Sequence, residues 1–90
     1  MARVSVTLLP RAVRELAELP DAIQDRVMEA LDLLAEFPLL GVAMVGAFQN
    51  YRCLLAAGGR YRIIYKVVGT TRVEVAWFRH GRRQIGLRLV

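Results

Sequence analysis

Residues 3–8 alternate Val4, Val6 and Leu8 with Arg3, Ser5 and Thr7. A period of two sends successive side chains to opposite faces, which predicts a half-buried strand. The period then lengthens. Pro10 suits a first helical turn, where its missing N–H leaves no bond unmade. Val13, Leu16 and Ala17 form one apolar stripe before Leu19-Pro20 ends the helix. Asp21 puts a negative charge where a second helix begins, and Ile23, Val27, Ala30, Leu31 and Leu34 recur at helical spacing as far as Phe37-Pro38. Its other face carries Asp25, Glu29, Asp32 and Glu36, the pattern of a solvated surface. Residues 39–47 hold Gly41 and Gly46 without a clear period, and are expected to form a connecting loop that packs its apolar side chains locally.

Three β-rich runs follow, at 51–55, 61–68 and 71–79, separated by Ala56-Ala57-Gly58-Gly59-Arg60 and by Gly69-Thr70. Short glycine-bearing connections of this kind predict two hairpins and an antiparallel meander. The order β-α-α-β-β-β predicts one α+β domain over residues 1–90, with a helical hairpin packed on one face of a small, antiparallel-rich twisted sheet. The other face is left open. Alternation assigns Tyr61, Ile63, Tyr65 and Val67 to the core, and Arg62, Ile64, Lys66 and Val68 to the open face. In the last strand it groups Val73, Val75 and Trp77 inside, with Arg72, Glu74, Ala76 and Phe78 outside. A hairpin turning about Gly58 sets Leu54 opposite Arg62 and Arg52 opposite Ile64, which brings both arginines to the open face. A slip of one residue separates them. Cys53, on the side of Tyr51 and Leu55, is expected to be a small buried hydrophobe. Beyond His80, the alternation of Ile85, Leu87 and Leu89 suits either a strand or a partner-binding extension.

Composition adds three constraints. Hydrophobic residues make up 56% of the chain, yet no uninterrupted apolar run approaches the ~18 residues of a membrane span. The N-terminal residues lack the apolar segment and small-residue cleavage site of a secretory signal, so a cytoplasmic protein with no membrane partner is expected. One cysteine and one histidine build neither a disulfide nor a structural zinc site, and no metal or cofactor is expected. Charge is the most informative of the three. Residues 1–50 hold four arginines against seven acids, net −3, while residues 51–90 hold eight arginines and Lys66 against Glu74 alone, net +8. A field of that sign attracts a polyanion: RNA, DNA or an acidic protein.

The element order, together with Leu19-Pro20, Tyr51-Arg52, Arg60-Tyr61-Arg62-Ile63-Ile64-Tyr65 and His80-Gly81-Arg82-Arg83, resembles the RelE/ParE superfamily of bacterial toxins over nearly the whole chain. The short helical hairpin is closer to the RelE-like side. The resemblance implies the toxin of a type II toxin–antitoxin pair, held by a cognate antitoxin that wraps it and covers its basic surface, and meeting operator DNA only through that antitoxin. RelE-like members cut messenger RNA on the ribosome; ParE-like members inhibit DNA gyrase without cleaving RNA. Arg62 matches the strand arginine of the nuclease members, and Arg82 or Arg83 the arginine after the last strand. Arg52 lies where a basic residue of an earlier strand is found. Leu54 replaces a second basic residue, and Gly86 or Leu87 stands where the nucleases commonly carry a tyrosine.

Cutting RNA without metal takes a base for the 2′-hydroxyl, cations for the pentacoordinate phosphorane and a proton donor for the departing 5′-oxygen. Arginine suits the middle task, because its planar guanidinium is always charged and holds two phosphate oxygens at once. The candidate catalytic residues are therefore Arg62, Arg82 and Arg52, with His80 as the side chain whose ordinary pKa lies near neutrality. Arg60, Lys66, Arg79 and Arg83 are candidates for RNA binding, and Phe78 for stacking on a base. Two alternatives stay open: a gyrase inhibitor without catalysis, favoured by Leu54 and the missing tyrosine, and a degraded toxin that binds only its antitoxin.

Overall fold

A computed structural model describes residues 3–80. Strand β1 (Ser5–Leu8) leads into helices α1 (Pro10–Ala17) and α2 (Asp21–Glu36). A two-residue strand β2 (Val42–Ala43) and a 3₁₀ turn (Gly46–Phe48) precede β3 (Arg52–Ala56), β4 (Tyr61–Val68) and β5 (Arg72–His80). The sheet order is β1-β5-β4-β3-β2. β1 runs parallel to β5 and every other pair is antiparallel. The α+β arrangement with both helices on one face is the predicted one. β2 was not foreseen, because two residues are too few to show a period.

α1 begins on Pro10 and ends in a turn whose carbonyls are taken up by α2: Gln24 Nε2 donates to the Leu16 and Leu19 carbonyls, each at 3.0 Å. These bonds satisfy acceptors that a helix end leaves free. α2 turns Val27, Ala30, Leu31 and Leu34 onto the sheet, where they meet Ile63, Tyr65, Val73, Val75 and Phe78. Its outward acids remain in water, two of them bridged by Arg3, 3.2 Å from Glu36 and 3.8 Å from Asp32.

Two local features set which side chains reach the open face, and both depart from simple alternation. In the β3–β4 hairpin the last pair is Ala56↔Tyr61, so four residues form the connection. Ala57, Gly58 and Gly59 all take positive φ, and the alanine is the unforeseen member of the run. The register becomes Arg52↔Tyr65 and Leu55↔Arg62, one residue from the expected pairing, and such a slip turns a strand over. Arg52 consequently lies on the helix-covered face and Arg62 on the open one. In β5 the pairing runs Ile64↔Trp77 and then Tyr65↔Val75, leaving Ala76 as a bulge. The extra residue reverses the alternation beyond it. Phe78, expected outside, is in the core at 6% exposure, and Trp77, expected inside, faces out beside Ile64. The Phe78 N–H is taken by Glu15 Oε1 of α1 at 2.8 Å, so the far half of β5 is tied to the helix rather than to β1.

Candidate nucleic-acid interface

β4 passes through the middle of the sheet and carries Arg62, Ile64 and Lys66 on its open side, as alternation predicts. Directly across from Arg62 stand Leu55 on β3 and Arg79 on β5. The two guanidinium residues share a groove of about 460 Å³, bounded by Val42, Met44 and Val45 on one side and floored by Cys53, Leu55 and Ile64. The Nε of Arg62 is buried without a hydrogen-bond partner among the described residues. A buried, unsatisfied charged donor is costly unless an acceptor arrives. A phosphate oxygen that reached this Nε would supply the missing acceptor.

Beyond Ile64 the same face carries three aromatic rings. Phe48 and Tyr51 lie 5.7 and 5.5 Å from Trp77, between centroids. Two cations sit on them: the Arg11 guanidinium 5.3 Å from the Trp77 ring and the Lys66 ammonium 5.5 Å from Tyr51. Glu74, the register partner of Lys66, is engaged by Arg72 at 3.3 Å. Basic groups interleaved with aromatic ones suit the backbone and bases of a single strand. Arg11, Phe48, Tyr51 and Trp77 were not singled out in the sequence. Arg11 lies in the acidic half of the chain, and Trp77 reaches this face only because of the bulge.

The remaining candidates divide. Arg62, Lys66 and Arg79 come together on the open face. Cys53, expected to be buried, lines the groove instead, since the altered β3–β4 register carries it to the open side. Arg60 is turned away, and with Arg26 it lines a hollow of about 340 Å³ against the start of α2. His80 pairs with Tyr61, their rings 4.9 Å apart, on the face opposite Arg62. It is therefore separated by the sheet from the phosphate site proposed for it. Arg82 and Arg83 lie outside the described residues. Phe78 packs in the core and is not a stacking surface. Among the described residues no three metal-ligating side chains are gathered together, and no helix is long and apolar enough to cross a membrane.

Arg52 has a different task from the one its basic character suggested. Its Nε donates to the Gly41 carbonyl at 3.0 Å and an Nη to that of Leu39 at 3.2 Å. The neighbouring Tyr65 hydroxyl accepts from the Gly41 N–H and donates to the Pro38 carbonyl, both at 2.8 Å. Burial pushes the Tyr65 phenol above its ordinary value of 10.0, an effect partly offset by the Gly41 amide and by Arg52. A phenol with a raised folded-state pKa stabilises the fold fully below its unfolded value, and loses that contribution as pH rises through the folded value. Denaturant titrations above about pH 10 should therefore show stability falling with pH, with a shallower fall in Tyr65→Phe. Equal slopes in parent and variant would refute this role.

The fold and parts of the sequence have counterparts among known proteins. A chain of the RelBE2 toxin–antitoxin complex from Mycobacterium tuberculosis is similar at 26% identity and a TM-score of 0.77, over 87% of this chain and 98% of that one. The isolated RelE toxin of E. coli shares the fold at 15% identity and a TM-score of 0.72, over 97% and 99% of the two chains. A chain of the chromosomal ParDE toxin–antitoxin system of P. aeruginosa does so at 14% and 0.66, over 87% and 96%. No curated protein matches the sequence. Residues 6–85 match the model of the ParE toxin of type II toxin–antitoxin systems, and with most of its length so matched this chain belongs to that toxin family, within the RelE/ParE superfamily.

Proposed function

We propose that this toxin acts on RNA as a RelE-like, ribosome-associated mRNA endoribonuclease, gripping the scissile phosphate with Arg62 and Arg79. The observation that carries this reading is the buried Nε of Arg62, without a hydrogen-bond partner among the described residues, in a groove shared with a second arginine. Guanidinium groups placed where charge builds up on the phosphorane stabilise the transition state more than the ground state. Arg82 and Arg83, which follow β5 in sequence, would add to the same charge. The aromatic rings and Lys66 would hold the strand alongside. Alignment of the 2′-hydroxyl is assigned to the decoding site, which presents the message in one geometry. The partner in the cell would be a cognate antitoxin with acidic and apolar side chains, matching a basic sheet lined by exposed Val42, Val45 and Leu55. Similar RelE structures are of toxin–antitoxin complexes.

The placement of His80 away from Arg62, and the description of the matched family as the ParE toxin of parDE, favour a second reading: a gyrase inhibitor that uses the same face to bind without cutting. Two assays on the purified chain distinguish them. Primer extension on a message under translation should show breaks that require the toxin, and gyrase supercoiling should be unaffected. Blocked supercoiling with intact message would establish the second reading.

A further inference from the structure

We propose that Arg52 and Tyr65 are positioning residues for the RNA groove, holding the segment from Pro38 to Met44 so that β2 stands as the groove wall facing Arg62. The inference rests on reading the groove as an RNA site and adds to it the device that gives the groove its shape.

β2 has two residue pairs, Val42↔Cys53 and Ala43↔Arg52, far fewer than an edge strand needs to keep its own register. What fixes it lies immediately before it in the chain and on the opposite face of the sheet. Four hydrogen bonds join Arg52 and Tyr65 to Pro38, Leu39 and Gly41, three donated by the side chains and one by the Gly41 N–H. Gly41 is seated so closely that a Cβ there would meet the Cys53 carbonyl and the Tyr65 ring and hydroxyl at 2.8 Å. From this anchored glycine the chain crosses directly into Val42, and the Met44 N–H closes on the Tyr51 carbonyl at 2.9 Å. Val42, Met44 and Val45 then face Arg62 across the groove. The clamp is on the helix side and its effect on the RNA side, which is how an arginine that cannot reach the phosphate still serves it.

Cys53 makes this testable, because it is the single cysteine, lines the groove and pairs with Val42. Cys53 is half-buried there, so a rise in its labelling by a small maleimide above the parent's rate reports β2 lifting from it, whatever the toxin's target. Losing two of the four clamp bonds should raise that rate about tenfold in Arg52→Ala and in Tyr65→Phe. Arg52→Lys, which keeps the charge and one donor, should fall between parent and Arg52→Ala. Affinity for a short single-stranded oligoribonucleotide should weaken about tenfold in both clamp variants, with cooperative unfolding retained. If Arg52→Ala does not unfold cooperatively, Tyr65→Phe, which removes one oxygen atom and no charge, carries the test. Unchanged thiol rates in Tyr65→Phe overturn the proposal, as does weaker RNA binding in Arg52→Ala alone, the signature of direct contact. Should the parent bind no oligoribonucleotide while Arg62→Ala leaves it equally inert, the RNA reading fails, and the thiol rates alone decide whether the clamp holds the wall.

Discussion

Phe78→Ala should lower stability by about 3–5 kcal/mol, the range for truncating a buried phenylalanine. Phe78 stands opposite Ile63 on β4 and belongs to the core cluster that α2 covers. Truncation there loses the transfer energy of a ring and leaves a cavity between sheet and helices. Small domains have about 5–15 kcal/mol in all, so the variant should be close to unfolding at 37 °C. The melting temperature should fall by about 15 °C or more, given a few degrees for each kcal/mol in a chain of this size. Alternation alone would make Phe78 an exposed stacking residue, whose removal weakens RNA binding and leaves melting unchanged. Thermal unfolding of the variant decides between these, and a shift of only a degree or two would contradict a core position for Phe78.

Arg62→Ala should have the opposite profile. It removes a buried donor that has no hydrogen-bond partner among the described residues, so stability should stay level or rise slightly. Function should collapse, because an ionic hydrogen bond of about 1.5–3 kcal/mol in binding is joined by transition-state stabilisation that is typically ~10²–10³ in rate. The salt dependence of RNA binding should become shallower by about one phosphate contact. Growth inhibition on expression, compared at equal protein level, is the readout. Full toxicity of a stably folded Arg62→Ala would remove the groove from the mechanism.

Much of this was legible in the sequence because apolar spacing is a local property. The strand at Val4, Val6 and Leu8, the two helices broken at Pro20 and Pro38, and the inward set Ile63, Tyr65 and Val67 follow from period alone, as does the place of Arg62 and Lys66 on the open face. Errors arose where one residue changes parity. Ala57 takes a left-handed conformation that alanine rarely adopts, and lengthening that turn moved Arg52 to the far face and Cys53 into the groove. Ala76 forms a bulge with no proline or glycine to mark it, exchanging Trp77 and Phe78. Neither is marked in a short window: the first shows only in contacts such as Arg52 with the distant Gly41, the second in the bond from the Phe78 N–H to Glu15. His80 illustrates the same limit, since its face depends on the bulge four residues earlier. The family resemblance, carried by several short motifs at once, was more robust than the position of any single side chain.

Mapping of mRNA 5′ ends after brief induction, with parent and Arg62→Ala side by side, tests most directly whether the arginine face cuts RNA. New ends inside translated codons should appear with the parent and be absent with Arg62→Ala at equal protein level. Unbroken messages in cells that the parent has nonetheless arrested, accompanied by DNA damage or loss of supercoiling, would contradict it.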